Sequence, residues 1–264
     1  MTTTIALAGK GGVGKTTLAG LIIKYLTLSQ PSPVLAIDAD PSSNLNMVLG
    51  MELDWTVGDI REGMLQQVKK SLHNSGAAMG ALPGGVSKHD YLDLQIRSSL
   101  EEGDHVDLIA MGRSEGPGCY CAVNHNLREV VDSISKNYRY VVIANEAGME
   151  HLSRRTTRDV QHLIIVSDPS QRGIVAAERI AKLRNELDIN VENAYLVINR
   201  LPHEIPAPLQ EIINRLDIPL LGTIPNNDEI TTLEFSGDPI ISLGADSIVY
   251  KSVSDIMGKI FKFN

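Results

Sequence analysis

Along the 264-residue chain, short apolar runs alternate almost to the end with segments whose apolar residues recur at helical spacing. The runs TIALAG (4–9), PVLAID (33–38), HVDLIAM (105–111), RYVVIA (139–144), HLIIVS (162–167), NAYLVIN (193–199) and PLLGTI (219–224) read as strands. Several are continuous Val/Ile/Leu stretches, the pattern of strands covered on both faces. Helices are expected over 15–28, 121–136, 170–187, 206–215 and 246–261. This alternation predicts an α/β fold: a doubly wound, mostly parallel sheet with helices on both faces. The stretch 51–104 is less regular, and GAAMGALPGG (76–85) within it is expected to be an excursion loop. No repeat or linker interrupts the pattern, so residues 1–264 are expected to form a single domain.

Composition narrows the partners. A hydrophobic content of 43% with 21% charged residues is ordinary for a globular chain, and a net charge of −8 argues against nucleic acid held by its phosphates. Two cysteines do not make a disulfide scaffold, which favours a reducing compartment. The amino terminus, MTTTIALAGKGG, lacks a basic region followed by a secretory apolar stretch, and no run approaches the ~20 residues of a membrane span. The expectation is a soluble cytoplasmic protein bound to neither membrane nor nucleic acid. One segment offers an alternative. SDIMGKIFKFN (254–264) places Ile256, Met257, Ile260 and Phe261 at helical spacing with Lys259 and Lys262. That pattern suits a membrane-surface helix or a last helix covering the sheet.

The chemistry begins at residues 9–17, GKGGVGKTT, directly after the first strand and before a helical pattern. This is the phosphate-binding pattern G-x-x-x-x-G-K-[ST] in its strand–helix setting. Gly11, Gly12 and Gly14 let backbone N–H groups approach phosphates, with Val13 and Thr17 completing the cradle. Lys15 is placed to reach β- and γ-phosphate oxygens, and the Thr16 hydroxyl to ligate Mg²⁺. After the second strand, DADPSSN (38–44) puts Asp38 and Asp40 on the ligand side of an open α/β sheet, although a solvated turn reads the same way alone.

With Lys10 ahead of it, the string KGGVGKTT resembles the deviant Walker A motif of the MinD/ParA/nitrogenase-iron-protein class of P-loop ATPases. The resemblance implies a nucleotide-bound homodimer in which Lys10 crosses to the partner's nucleotide and stabilises transition-state charge. It implies that Asp40 orients the attacking water and that Asp38 lies nearer the Mg²⁺ shell. Asn199 in INRLP (198–202) resembles the adenine-contacting asparagine of the class, and IPNN (224–227), with Pro225, resembles its other base-flanking segment. GTPases carry an acid three residues after that asparagine; Pro202 stands there in this chain, which favours ATP.

Both cysteines lie in GPGCYCAVNH (116–125). In an extended segment, side chains two apart point the same way, so Cys119 and Cys121 can converge on one point if the Gly-Pro-Gly lead-in keeps the chain extended. A disulfide between them would close a small, strained ring, whereas Zn²⁺ and its neighbours accept thiolates readily. A closed site needs four ligands, and a two-fold dimer supplies the other pair. Two thiols without a ligand role are the plain alternative, and His125 is either an accessory ligand or a surface histidine. Together RSEGPGCYC (113–121) and NEAGMEHLSRRT (145–156) resemble CooC, the family of maturation ATPases of nickel carbon monoxide dehydrogenase. The resemblance runs from the P-loop to the last strand. It implies nickel or zinc bound between subunits by Cys119 and Cys121, and ATP hydrolysis coupled to nickel delivery into the dehydrogenase. One departure stands out. The family carries an aspartate for a Mg²⁺-bound water where this chain has Ala144, so turnover is expected to be impaired unless Glu146 compensates. The competing functions are a MinD/ParA-like positioning ATPase and an iron–sulfur carrier ATPase; relatives of the latter space their cysteines as CxxC.

Overall fold

The computed structural model describes residues 2–29, 32–60, 62–63, 88–113, 129–147, 159–184, 186 and 189–262. Its strands are β1 (Thr3–Gly9), β2 (Val34–Ala39), β3 (Val106–Ala110), β4 (Tyr140–Asn145), β5 (Asp159–Ser167), β6 (Asn190–Leu201) and β7 (Leu220–Pro225). They form one seven-stranded sheet in the order β3-β2-β4-β1-β5-β6-β7, with every pairing parallel. Each apolar run read as a strand is one, and the all-parallel sheet is the reason those runs are continuous. The helices are α1 (Lys15–Ser29), α2 (Leu45–Leu49), α3 (Lys88–Ser98), α4 (Gln171–Leu183), α5 (Ala207–Ile213), α6 (Asp228–Ser236) and α7 (Ile248–Lys262), with further helical residues at 57–60, 62–63 and 129–135.

Two apolar layers sandwich the sheet. Ala6 and Ala8 of β1 pack with Ile96 of α3, Val131, Ile174 and Ala177 of α4, and Leu209 of α5. The alternate residues Ile5 and Leu7 pack with Leu18 and Ile22 of α1 and with Val253, Ile256 and Ile260 of α7. The terminal helix therefore covers the sheet: Ile256, Met257 and Ile260 are at most 1% exposed. Phe261 stacks on Tyr25 at 6.4 Å, and Lys259 Nζ donates to the Leu221 carbonyl at 2.7 Å. Use of this apolar face on a membrane would require the helix to leave the core. No helix among the described residues is long and apolar enough to cross a membrane.

Helices α2, α3 and α6 fall outside the sequence expectation. Helix α2 is five residues long, and α6 buries none of its residues, so neither carries a strong apolar stripe. The expected loop at 76–85 and residues 121–128 of the expected helix at 121–136 lie outside the described residues. Central β1 is the pivot of the winding, with β2–β4 on one side and β5–β7 on the other. The crevice beyond the strand ends at such a pivot is where open α/β sheets bind ligands.

Candidate functional site: a phosphate loop and its adjoining cavity

Strand β1 ends at Gly9 and α1 begins at Lys15, so residues 10–14 turn the chain at the carboxyl end of the central strand. Gly14 sits at φ +88, and a Cβ there would lie 2.4 Å from Asn199 Nδ2. Only glycine fits both the conformation and the space. Val13 anchors the loop from below: its side chain is buried in the α1-side layer, and its carbonyl accepts from Asn199 Nδ2 at 2.9 Å. Lys15 folds back over the loop, with Nζ donating to the carbonyls of Gly9 and Lys10 at 3.2 Å each. It is 7% exposed, and burial pushes its ammonium pKa down while the charges of Asp40 and Glu146 oppose that shift. A partly desolvated cation at a helix amino end gains strongly when an anion arrives.

The two aspartates after β2 play different parts. Asp38 is 1% exposed; its oxygens accept the N–H of Asp40 at 3.0 Å and of Leu45 at 2.8 Å. Burial pushes its carboxyl pKa up, partly offset by the N–H bonds from Leu45 and Asp40. Asp38 thus shapes the turn beneath the site, while Asp40 faces the cavity. Asp40 Oδ1 also accepts from Ser42 N at 2.9 Å and from Ser42 Oγ at 2.5 Å. Ala144 pairs in register with both Leu7 and Asp38, is 2% exposed and belongs to the apolar layer under the loop. The next residue, Asn145, donates Nδ2 to the Leu7 carbonyl at 2.8 Å and so ties β4 to β1. Glu146 follows at the strand's mouth.

Two cavities open side by side at this edge. One, of about 400 Å³, is lined by Gly11, Gly12, Gly14, Lys15, Thr16 and Thr17 together with Asp40, Glu146, Ala147 and Arg200. The other, of about 330 Å³, lies between α1, the ends of β6 and β7, α6 and α7. Asn199, Pro225, Leu21, Ile230 and Val249 are among its walls. The first offers amides, two cations and hard oxygen donors, the set that suits phosphates with Mg²⁺. The second mixes apolar walls from Leu21, Ile224, Ile230 and Val249 with as many polar groups, among them Asn199, Asn226 and Thr231, a set that suits the faces and edges of a nucleobase.

The nucleotide-binding domain model of the CobQ/CobB/MinD/ParA family matches residues 4–240. The chain belongs to this family. Within it, the chain is 43% identical over 256 residues to an uncharacterized ATP-binding protein of Methanocaldococcus jannaschii, covering 97% of both chains. It is 31% identical over 241 residues to the carbon monoxide dehydrogenase accessory protein CooC of Rhodospirillum rubrum, covering 88% of this chain and 87% of that one. In fold it is similar to the septum site-determining protein MinD of Pyrococcus horikoshii, solved with Mg-ADP. That likeness has a TM-score of 0.68 at 19% identity, over 100% of this chain and 97% of that one. The P-loop NTPase fold expected from sequence is the fold of this family.

The predicted site residues fall into three groups. Gly11, Gly12, Gly14, Lys15, Thr16, Thr17 and Asp40 meet at the phosphate-loop cavity, while Asn199 and Pro225 line its neighbour, which Thr17 shares. Val13 contributes only its backbone, Asp38 lies beneath the cavity, and Lys10 is exposed, its carbonyl engaged with Lys15. Cys119, Cys121 and His125 lie outside the described residues. Sequence reasoning left Ala147 and Arg200 without a role and Glu146 only as a possible stand-in for Ala144. The signal available for all three was position at or just past the carboxyl end of a strand in a parallel sheet.

Proposed function

We propose that this chain is an ATP-hydrolysing maturation factor that delivers nickel to a carbon monoxide dehydrogenase, working as a cytoplasmic homodimer. The observation that carries the ATPase part is the convergence of Lys15, Thr16, Asp40 and Glu146 on one cavity beside the loop. Likeness to CooC over most of the chain, together with the CxC pair, supports the delivery part.

In this reading the loop amides and Lys15 hold the β- and γ-phosphates. Lys15 exchanges its two loop carbonyls for phosphate oxygens, which relieves the cost of its burial. Thr16, Asp40 and Glu146 supply the hard oxygen donors that suit Mg²⁺, which neutralises phosphate charge when bound. Asp40 orients a water whose oxygen bonds to the γ-phosphorus as the β–γ bridging P–O bond breaks, leaving ADP and phosphate. Glu146 provides the carboxylate that position 144 lacks, because the Ala144 methyl faces the apolar layer and Glu146 faces the phosphates. Lys10, exposed at the loop's edge, is free of the cavity wall and reaches across the dimer.

Nickel is cargo in this scheme, held by Cys119 and Cys121 of both subunits. The test is metal analysis of anaerobically purified protein, followed by Ni²⁺ titration of the parent and Cys119→Ser. One ion per two protomers is expected, weakening in acid because thiolate is the binding form. One per protomer, or unchanged binding by the variant, would overturn the bridging clamp. Iron with sulfide in the purified protein would favour a cluster carrier instead.

A further inference from the structure

Arg200 occupies a position that arginine rarely takes. Strand β6 slips register against β7 twice, between Leu196 and Val197 and again between Ile198 and Leu201, which resumes opposite Pro225. Asn199 and Arg200 are the residues caught in that irregularity, and Arg200 sits at φ +57 in the left-handed region. Bulges re-aim side chains beside functional sites, and a non-glycine residue held left-handed costs about 1 kcal/mol or more. Here the re-aiming turns both side chains onto the phosphate loop. Asn199 binds the Val13 carbonyl, and Arg200 Nη1 donates to the Gly12 carbonyl at 3.0 Å.

The consequence for a ligand follows from the cavity walls. Among the described residues, only Thr17 and Arg200 line both cavities. A nucleotide with its terminal phosphates on the loop and its base in the neighbouring cavity must pass its ribose and innermost phosphate between these two. Arg200 has no acidic partner among the described ion pairs. One of its five N–H donors is used on Gly12, leaving the rest of the planar fork for an anion.

We propose that Arg200 is a direct ligand of the nucleotide's innermost phosphate, holding the phosphate loop with one nitrogen and the ligand with the others. The assignment rests on the nucleotide reading given above and adds to it a contact common to ADP and ATP. A glycine would adopt the same backbone without strain, so what arginine adds is its charge.

The experiment measures Mg-ADP, a non-hydrolysable Mg-ATP analogue and adenosine against the parent, Arg200→Ala, Arg200→Lys and Arg200→Gln. A fluorescent ADP analogue reports displacement, and thermal melting of the apo proteins verifies folding. Arg200→Ala is expected to weaken ADP and the ATP analogue by the same factor, about 10- to 100-fold, the size of a charged hydrogen bond. Adenosine affinity stays unchanged. Lysine recovers part of the loss because it keeps the charge. Glutamine, which can still donate to the Gly12 carbonyl, does not. Steady-state turnover shows the loss in KM, with kcat within about 3-fold, because the contact is uniform in ground and transition states. Parent-like ADP binding by Arg200→Ala or Arg200→Gln would overturn the assignment, as would an equal loss for ADP and adenosine. A parent that binds no ADP would overturn the nucleotide reading itself, and this contact with it.

Discussion

The phosphate-loop cavity takes most of its wall from one stretch, Gly11 to Thr17, and adds Asp40, Glu146, Ala147 and Arg200 at its rim. The neighbouring cavity takes one to a few residues from each of five elements, from Leu21 in α1 to Val249 in α7. The first is written in glycine conformations and two cations, Lys15 and Arg200; the second is written in packing. Contiguous residues held by a turn bind through charge and amides, whereas residues gathered by the fold bind through shape. Substitutions in the two cavities should therefore fail differently.

The largest difference is expected at Lys15. Lys15→Met removes charge-assisted bonds to several phosphate oxygens, about 4 kcal/mol in total, and should lower ADP and ATP affinity on the order of 1,000-fold. The apo protein should nevertheless melt no lower than the parent, because a buried ammonium is replaced by an apolar chain of similar length. Calorimetric titration and thermal melting give both numbers, and a destabilised apo variant would break the account of Lys15 as a desolvated cation.

Glu146 comes next. Glu146→Gln should reduce ATP turnover about 10-fold, the effect of ~1.4 kcal/mol, with ADP affinity nearly unchanged. Adding Ala144→Asp to that variant should restore turnover if the two positions share one task. A double variant as slow as the single one would show that Glu146 does something else.

The neighbouring cavity should be more tolerant. Ile230→Ala trims part of an apolar wall and should weaken ATP and ADP about 5-fold, near 1 kcal/mol, while inorganic tripolyphosphate binds as before. A matching loss for tripolyphosphate would erase the distinction between the two cavities.

The smallest effect is in pH. Burial lowers the Lys15 pKa below 10.5, so across the window between its folded value and 10.5 the unfolded chain holds a proton that the folded chain has released. Stability of the apo protein therefore rises with pH through that alkaline window, and the penalty is fully present below it. Lys15→Met should lack this rise. Equal pH slopes for parent and variant in denaturant titrations would remove the evidence for a strained lysine.

Legibility followed the same division. GKGGVGKTT could be recognised because its task is local: Lys15 binds carbonyls five and six residues away, and the glycines act through their own φ angles. The strands were legible because burial on both faces makes each an unbroken apolar run. Helix α6 was not, because a helix without a buried face has no apolar period. The terminal helix carried a pattern that suited a membrane or a core equally, and only its packing on β7 and α1 separated the two.

The chain alone therefore determined the parallel α/β architecture, the phosphate loop and the acids after β2, since each depends on neighbours within a few residues. Tertiary structure decided which acid faces the cavity. Asp38 and Asp40 stand two apart, yet one is sealed under the amides of Leu45 and Asp40 and the other, half-buried, lines the cavity. It also decided that Glu146 rather than Ala144 lines the phosphate-loop cavity, and that Arg200 reaches a carbonyl 188 residues earlier in the chain. No local pattern encodes such contacts. They exist because parallel strands end together at one edge of the sheet, bringing distant residues within reach of a single ligand.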